Sequence, residues 1–266
     1  MSTLTSADGT TIGYETLGSG PALILVDGAM CYRGFGPMRE LAAALADTFT
    51  VYLYDRRGRG ESGDTRPYEP RREVEDLAAL LTAAGGSAAL VGVSSGAVLA
   101  ADAANAVPGF TALAVYEPPF IVDGTHPPRP DTFLPETEAL IAAGDHGGAV
   151  KKFLRSVGMP GFAVTIMSLL PPFRKMKPVA PTLPHDLRIL GDTGRGVPLD
   201  PARWARVTIP AIVLDGGKSP QYMRNAAKAL SEALPRAEYA TLPGQTHIVK
   251  APALAPAIKD FLAAKR

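Results

Sequence analysis

A serine set between glycines at the end of an apolar run is a residue presented for attack. Gly92-Val93-Ser94-Ser95-Gly96 after Ala88-Ala89-Leu90-Val91 has that form. The apolar run predicts a buried strand and Ala97-Val98-Leu99-Ala100-Ala101 a helix start, so Ser94 falls on the sharp turn between them. The flanking glycines remove side chains where such a turn brings backbones together. An ordinary strand-to-helix turn would also favour Gly and Ser, for conformation alone.

A base decides between these readings, because a serine hydroxyl is a poor nucleophile at neutral pH. Four histidines are available. His126, His146 and His185 fall in an irregular, proline-rich stretch. His247 ends Leu242-Pro243-Gly244-Gln245-Thr246-His247, after the last expected strand and before the final expected helix. Open α/β sheets place their sites at the C-terminal edge of the strands, where Ser94 also lies, so His247 is the candidate general base. The alternative is an exposed loop histidine. A tetrahedral oxyanion needs preorganised N–H donors. Ser95 supplies one, and Ala29, in Asp27-Gly28-Ala29 after the apolar run 23–26, is the expected second. A simple Asp-Gly turn would account for the latter residues equally well.

Holding these groups together requires a scaffold, and the chain alternates short apolar runs with helical stretches. That pattern predicts a mostly parallel sheet covered on both faces. Strands are expected at 11–16, 22–26, 51–54, 88–93, 112–116, 211–214 and 238–242, with a further one near Thr3. Helices are expected at about 36–46, 72–83, 95–106, 222–234 and 251–264. The alternation breaks between about Ile121 and Arg206, where prolines crowd and helical patterns such as 136–143 are short. A core of 1–120 and 207–266 with a lid inserted at 121–206 is the expected organisation, since unstructured loops of that length are uncommon.

The 46% hydrophobic and 20% charged content over 266 residues fits one large globular domain carrying an inserted subdomain. A net charge of +1 gives no electrostatic case for nucleic acid or an anionic membrane. Arg56-Arg57 and Lys151-Lys152 read as solvated faces or local structural pairs. Cys31 is the single cysteine, which excludes an internal disulfide framework and a cysteine-based metal site and fits a reducing compartment. Lying near the oxyanion loop without an evident base, it reads as a small buried hydrophobe. The N-terminal residues lack a charged segment followed by an apolar one, so a cytoplasmic protein is expected, with no metal and no cofactor. The expected partner is a small hydrophobic molecule, with a homo-oligomer allowed.

At this point the chain resembles the α/β-hydrolase superfamily over essentially its whole length. Besides the serine turn, Asp55-Arg56-Arg57-Gly58-Arg59-Gly60-Glu61-Ser62 matches that superfamily's D-x-R-G-x-G-x-S turn after the fourth strand. Pro243-Gly244-Gln245-Thr246-His247 matches its terminal histidine loop. The resemblance implies an α/β-hydrolase fold with an eight-stranded (or seven-stranded) sheet and a lid after strand 6. It implies far less about substrate.

The orienting acid departs from the common pattern. Most members end the strand before the histidine loop in G-x-x-D, but Gly216-Gly217-Lys218-Ser219 has a serine at that position, and a serine cannot stabilise an imidazolium as an anion would. Asp215, on that strand, and Glu117, after the preceding one, are both candidates. Zearalenone lactone hydrolases are similar to this chain in a D-G after the third strand, S-S-G at the elbow and a Glu-Pro after the sixth. That resemblance implies that Glu117 is the acid.

Asp27 stands where the superfamily usually has histidine, and its carboxylate is expected to point away from the oxyanion and brace the loop. Met159, Met167 and Met176 with Phe153, Phe162 and Phe173 make the insertion apolar, suited to a hydrophobic substrate or to packing the lid. Trp204 is expected to anchor the return to the core. The leading function is a serine hydrolase acting on an ester or lactone through an acyl-enzyme on Ser94. A C–C hydrolase or lyase on the same triad, and a non-catalytic binding or biosynthetic scaffold, are the alternatives.

Overall fold

The computed structural model describes residues 2–265. Eight strands form one sheet: β1 (Ser2–Thr5), β2 (Thr11–Leu17), β3 (Ala22–Val26), β4 (Thr50–Tyr54), β5 (Ala88–Val93), β6 (Phe110–Tyr116), β7 (Ala211–Gly216) and β8 (Ala237–Leu242). Their spatial order is β1-β2-β4-β3-β5-β6-β7-β8. β1 and β2 run antiparallel to their neighbours, and every pairing from β4 to β8 is parallel. Every residue of β5 and β7 is buried, as strands covered on both faces require.

Alternation along the strands sorts the core into two layers. Ile24, Val26, Leu90 and Val213 point to the face covered by α2 (Pro70–Ala83), α3 (Ser95–Ala106) and α9 (Gln221–Ala233). Leu23, Leu25, Val91 and Leu214 point to the opposite face, under α1 (Met38–Leu45) and α10 (Ala251–Ala263). The expected helices are all present, with ends displaced by a residue or two.

Between β6 and β7 the chain forms α4 (Phe133–Ala142), α5 (His146–Ser156), α6 (Gly161–Met167), α7 (Pro171–Met176) and α8 (Leu183–Leu190). Two 3-10 turns, Lys177–Thr182 and Pro201–Trp204, join them. Several prolines of this stretch open helices: Pro171 and Pro172 begin α7 and Pro184 lies in the first turn of α8, where a missing N–H is no loss, whereas Pro127, Pro128 and Pro130 lie in irregular chain. Val150, Leu154, Phe173 and Leu183 build a third apolar cluster that includes Met30 and packs against Ala29. Phe173 is buried in it, whereas Phe162 is 73% exposed. Trp204 is fully buried, and its Nε1–H donates to Asp102 on α3 at 2.8 Å. No helix among the described residues is long and apolar enough to cross a membrane.

Candidate active site

β3 connects onward to β4 on one side and is flanked by β5 on the other, so the loops after β3 and β5 open a crevice at their C-terminal ends. Ser94 sits there, on the turn from β5 into α3, with φ 57° and ψ −128°. A Cβ on Gly96 would collide with the carbonyl oxygens of Val26 and Asp27, and one on Gly92 would lie 2.7 Å from Ala97 Cα. Glycine is therefore required on both sides of Ser94. Three non-glycine residues among those described have positive φ: Met30, Ser94 and Glu117. Each such residue costs on the order of 1–3 kcal/mol and needs its surroundings to hold it. Ser94 and Glu117 directly follow β5 and β6, and Met30 lies in the loop after β3.

The structure brings Glu117 and His247 together. Glu117 follows β6, is fully buried, and its Oε2 lies 2.9 Å from His247 Nδ1. Its Oε1 accepts the Gly216 N–H at 2.7 Å, so both carboxylate oxygens are used. Because the carboxylate only accepts, Nδ1 carries the proton and Nε2 of neutral His247 is left as the acceptor. The Tyr116 hydroxyl donates to Thr246 O at 2.6 Å and fixes the histidine loop over the β6 end. Ser94 joins through the backbone: its N–H donates to Tyr116 O at 2.9 Å, one residue before Glu117. No hydrogen bond joins Ser94 Oγ to His247 among the described residues, and His247 is about one-third exposed.

Asp215 is placed differently. Also fully buried, it accepts from the Tyr239 hydroxyl at 2.6 Å and pairs with Arg224 Nε at 3.2 Å through the same oxygen, Oδ2. Neither it nor Ser219 hydrogen-bonds to His247. The other histidines are elsewhere. His126 donates from Nδ1 to Pro127 O, and His146 opens α5. His185 is buried and stacked on Tyr68 with ring centroids 3.6 Å apart, its pKa lowered by burial to about 4.

The loop after β3 is braced from below. A Cβ on Gly28 would lie 3.0 Å from Ser94 Cβ, which puts the Asp27–Ala29 backbone directly against the serine. Asp27 accepts its neighbour's Gly28 N–H at 2.9 Å, and burial raises its pKa to about 7. Burial and the adjacent Asp27 push the Cys31 thiol well up, so it is no nucleophile at neutral pH.

Arg56 and Arg57 are fully buried, not the solvated face that charge alone allowed. Arg57 pairs with Asp8 and Asp76. Arg56 donates to Asp27 O at 3.1 Å, and Arg59 donates to Gly28 O at 2.6 Å and Cys31 O at 3.1 Å. Both guanidiniums converge on Asp186 of α8, at 2.8 and 2.7 Å. Asp186 also accepts the Ser95 hydroxyl at 2.7 Å. Burial opposes that carboxylate's charge, yet Arg59 and Arg56 hold its pKa down at about 2. One side chain from the helical excursion thus ties the loop carrying Ala29 to the turn carrying Ser95. No sequence motif pointed to Asp186, which lies 130 and 127 residues from the two arginines it joins.

No group of three or more His, Cys, Asp and Glu side chains that could hold a metal occurs among the described residues. An open groove of about 460 Å³, lined by Val122, Asp123, Leu199, Asn225 and Lys228, includes none of Ser94, Glu117 or His247.

A strand-turn-helix serine, a carboxylate–histidine pair and a braced N–H loop on one edge of a doubly covered parallel sheet define a hydrolase-type α/β scaffold. The chain belongs to the alpha/beta hydrolase family, whose model matches residues 23–258. It is similar to the crystal structure of an alpha/beta hydrolase from Sphaerobacter thermophilus DSM 20745, with 45% identity and TM-score 0.91 over 98% of this chain and 100% of that one. It shares its fold with a malate-bound thermophilic esterase from Thermogutta terrifontis, at 20% identity and TM-score 0.70 over 99% of this chain and 98% of that one. The enol-lactonase from Burkholderia xenovorans LB400 is a further fold neighbour, at 19% identity and TM-score 0.71 over 98% and 100%.

Proposed function

We propose that the protein is a serine hydrolase that cleaves a carboxylic ester or lactone of a small, largely hydrophobic molecule. Ser94 Oγ attacks the carbonyl carbon while His247 Nε2 takes its proton, and Glu117 orients the ring and stabilises the imidazolium. The backbone N–H groups of Ala29 and Ser95 receive the oxyanion. The leaving alcohol departs with the proton from His247. Water, deprotonated by the same nitrogen, then attacks the acyl-Ser94 carbonyl, releases the acid and restores the serine.

The observation that carries this reading is the 2.9 Å contact between Glu117 and His247, with both carboxylate oxygens engaged. Catalytic hydrogen bonds are often loose before substrate binds, which accommodates the missing Ser94–His247 contact. Residues 121–206 are the lid in this reading, and their third apolar cluster against Ala29 and Met30 is the hydrophobic wall. The esterase and enol-lactonase among the fold neighbours make ester and lactone bonds the first ones to try. The single cysteine supports a cytoplasmic setting.

A screen of aryl esters and macrolactones of graded size against the wild type and Ser94→Ala tests the proposal. Turnover of at least one ester is expected, with kcat in the variant lower by on the order of 10⁶. Unchanged turnover in the variant would overturn it.

A further inference from the structure

Charge is distributed unevenly along this chain. The balance of +1 over 266 residues, which by itself gives no electrostatic case for an anionic membrane, conceals a stretch from 146 to 185 with six Lys and Arg residues and no Asp or Glu. The rest of the molecule is therefore acidic on balance. The acids that bracket the stretch are both engaged: Asp145 accepts the Gly148 N–H at 2.8 Å at the start of α5, and Asp186 lies buried between Arg56 and Arg59. Lys152 pairs with Glu136 of α4, but Lys151, Arg155, Arg174, Lys175 and Lys177 form no ion pair among the described residues.

Apolar side chains stand exposed in the same stretch. Of the eight large apolar residues exposed among those described, five (Val157, Phe162, Ile166, Leu169 and Leu170) fall between 157 and 170. No charged residue lies between Arg155 and Arg174. Within α6, Val164 is buried and Met167 half-buried in the third apolar cluster, which fixes the inner side of the helix. Phe162 and Ile166 stand four residues apart on the outer side, and the turn that closes the helix, with Leu169 N–H on Ile166 O at 3.1 Å, adds Leu169 to them. Ile166 is 57% exposed and Leu169 78%. A helix that is apolar all round is normally buried on every side, so this outer face calls for a cover.

The cations stand at both ends of that face. Arg155 lies in the last turn of α5, and Leu170 leads through the exposed Pro171 and Pro172 to the exposed Arg174, Lys175 and Lys177. α5 packs on both α6 and the 3-10 turn that follows α7, which joins the two ends in one surface. A second copy meeting this face about a two-fold axis would set these cations against their own counterparts. An anionic lipid surface offers both halves of the match: acyl chains for Phe162, Ile166 and Leu169, and negative headgroups for the flanking Lys and Arg, whose apolar stems reach outward to them.

We propose that the α5–α7 face of the helical excursion docks on an anionic phospholipid bilayer, with α6 lying in the interface. The inference goes beyond the hydrolase reading and does not depend on it.

Cosedimentation of the full chain with vesicles tests it, using phosphatidylcholine alone and phosphatidylcholine with about 30% phosphatidylglycerol. The wild type is expected to bind the anionic vesicles about tenfold or more tightly than the neutral ones, and to lose that advantage at about 1 M salt. Arg155→Gln, Arg174→Gln and Lys175→Gln combined should weaken binding to the anionic vesicles by on the order of a hundredfold. Ile166→Ser with Leu169→Ser should weaken it about tenfold or more; both positions are exposed, so the fold is kept. No wild-type binding to anionic vesicles, equal binding to both kinds, or unchanged binding by either folded variant would overturn the proposal. A wild-type dimer in light scattering that Ile166→Ser with Leu169→Ser dissolves would also overturn it, in favour of a second copy on this face.

Discussion

Neighbouring parallel strands β6 and β7 each end in a fully buried carboxylate, yet only one of them meets the histidine. Glu117, one residue past β6, turns with φ 45° and reaches across to His247, taking the Gly216 N–H of β7 on its other oxygen. Asp215, still within β7, faces Tyr239 of β8 and Arg224 of α9. Burial and formal charge are matched, so neither tells which carboxylate meets the histidine. Direction does, and it is set by a strained backbone and a longer side chain at β6 against regular strand geometry at β7.

Exchanging each acid for its amide is the most forceful way to break this contrast. Glu117→Gln should lower kcat by on the order of 10⁴ with the fold intact, because the amide can leave His247 in the wrong tautomer. Asp215→Asn should hold kcat within about tenfold and cost about 1 kcal/mol of stability, as for loss of a hydrogen bond. Steady-state kinetics and urea unfolding of the pair check both. Near-full turnover in Glu117→Gln would transfer the role away from β6.

A third buried carboxylate sharpens the contrast from outside the sheet. Asp186→Asn removes the shared anion from Arg56 and Arg59 and should cost about 3 kcal/mol in urea unfolding, since it leaves the buried Arg59 without a carboxylate and Arg56 with Glu73 alone. Because those arginines hold the carbonyls of Asp27 and Gly28, kcat should fall with it. A stable variant with unaltered kcat would show that the loop after β3 stands without the anchor from α8.

Asp27 gives an effect that is read as a pH dependence of stability. Its folded pKa of about 7 exceeds the ordinary 3.8, so the folded state keeps a proton that the unfolded chain gives up across that interval. Its contribution to stability is present below about pH 4 and is lost as pH rises through about 7. Asp27→Asn should therefore gain on the wild type as pH rises through that window and run parallel to it above. Thermal melts from pH 4 to 8 check this; parallel curves throughout would mean that Asp27 is ionised in the fold.

What could be read from the chain follows the range of the interactions. Ser94, Ser95, His247 and the strands were legible because strand, turn and glycine signals are local. Ala29 was legible only as the residue after an Asp-Gly step. Glu117 and Asp215 could not be separated by local reading, since the contact to His247 spans 130 residues, and the preference for Glu117 came from resemblance. The buried arginines were illegible for the same reason: Arg56 and Arg59 find Asp186 130 and 127 residues away, and charge alone does not distinguish a solvated pair from a buried one. In the excursion, Pro127, Pro128 and Pro130 do lie in irregular chain, but Pro171, Pro172 and Pro184 instead begin helices.

Covalent capture of Ser94 tests most directly whether Glu117 completes its activation. The wild type, Glu117→Gln and Asp215→Asn are treated with a serine-directed phosphonate and followed by intact mass and peptide mapping. Wild type and Asp215→Asn should label at Ser94 at similar rates, and Glu117→Gln slower by orders of magnitude. Equal labelling of Glu117→Gln, or no adduct at Ser94 in folded wild type, would contradict the account.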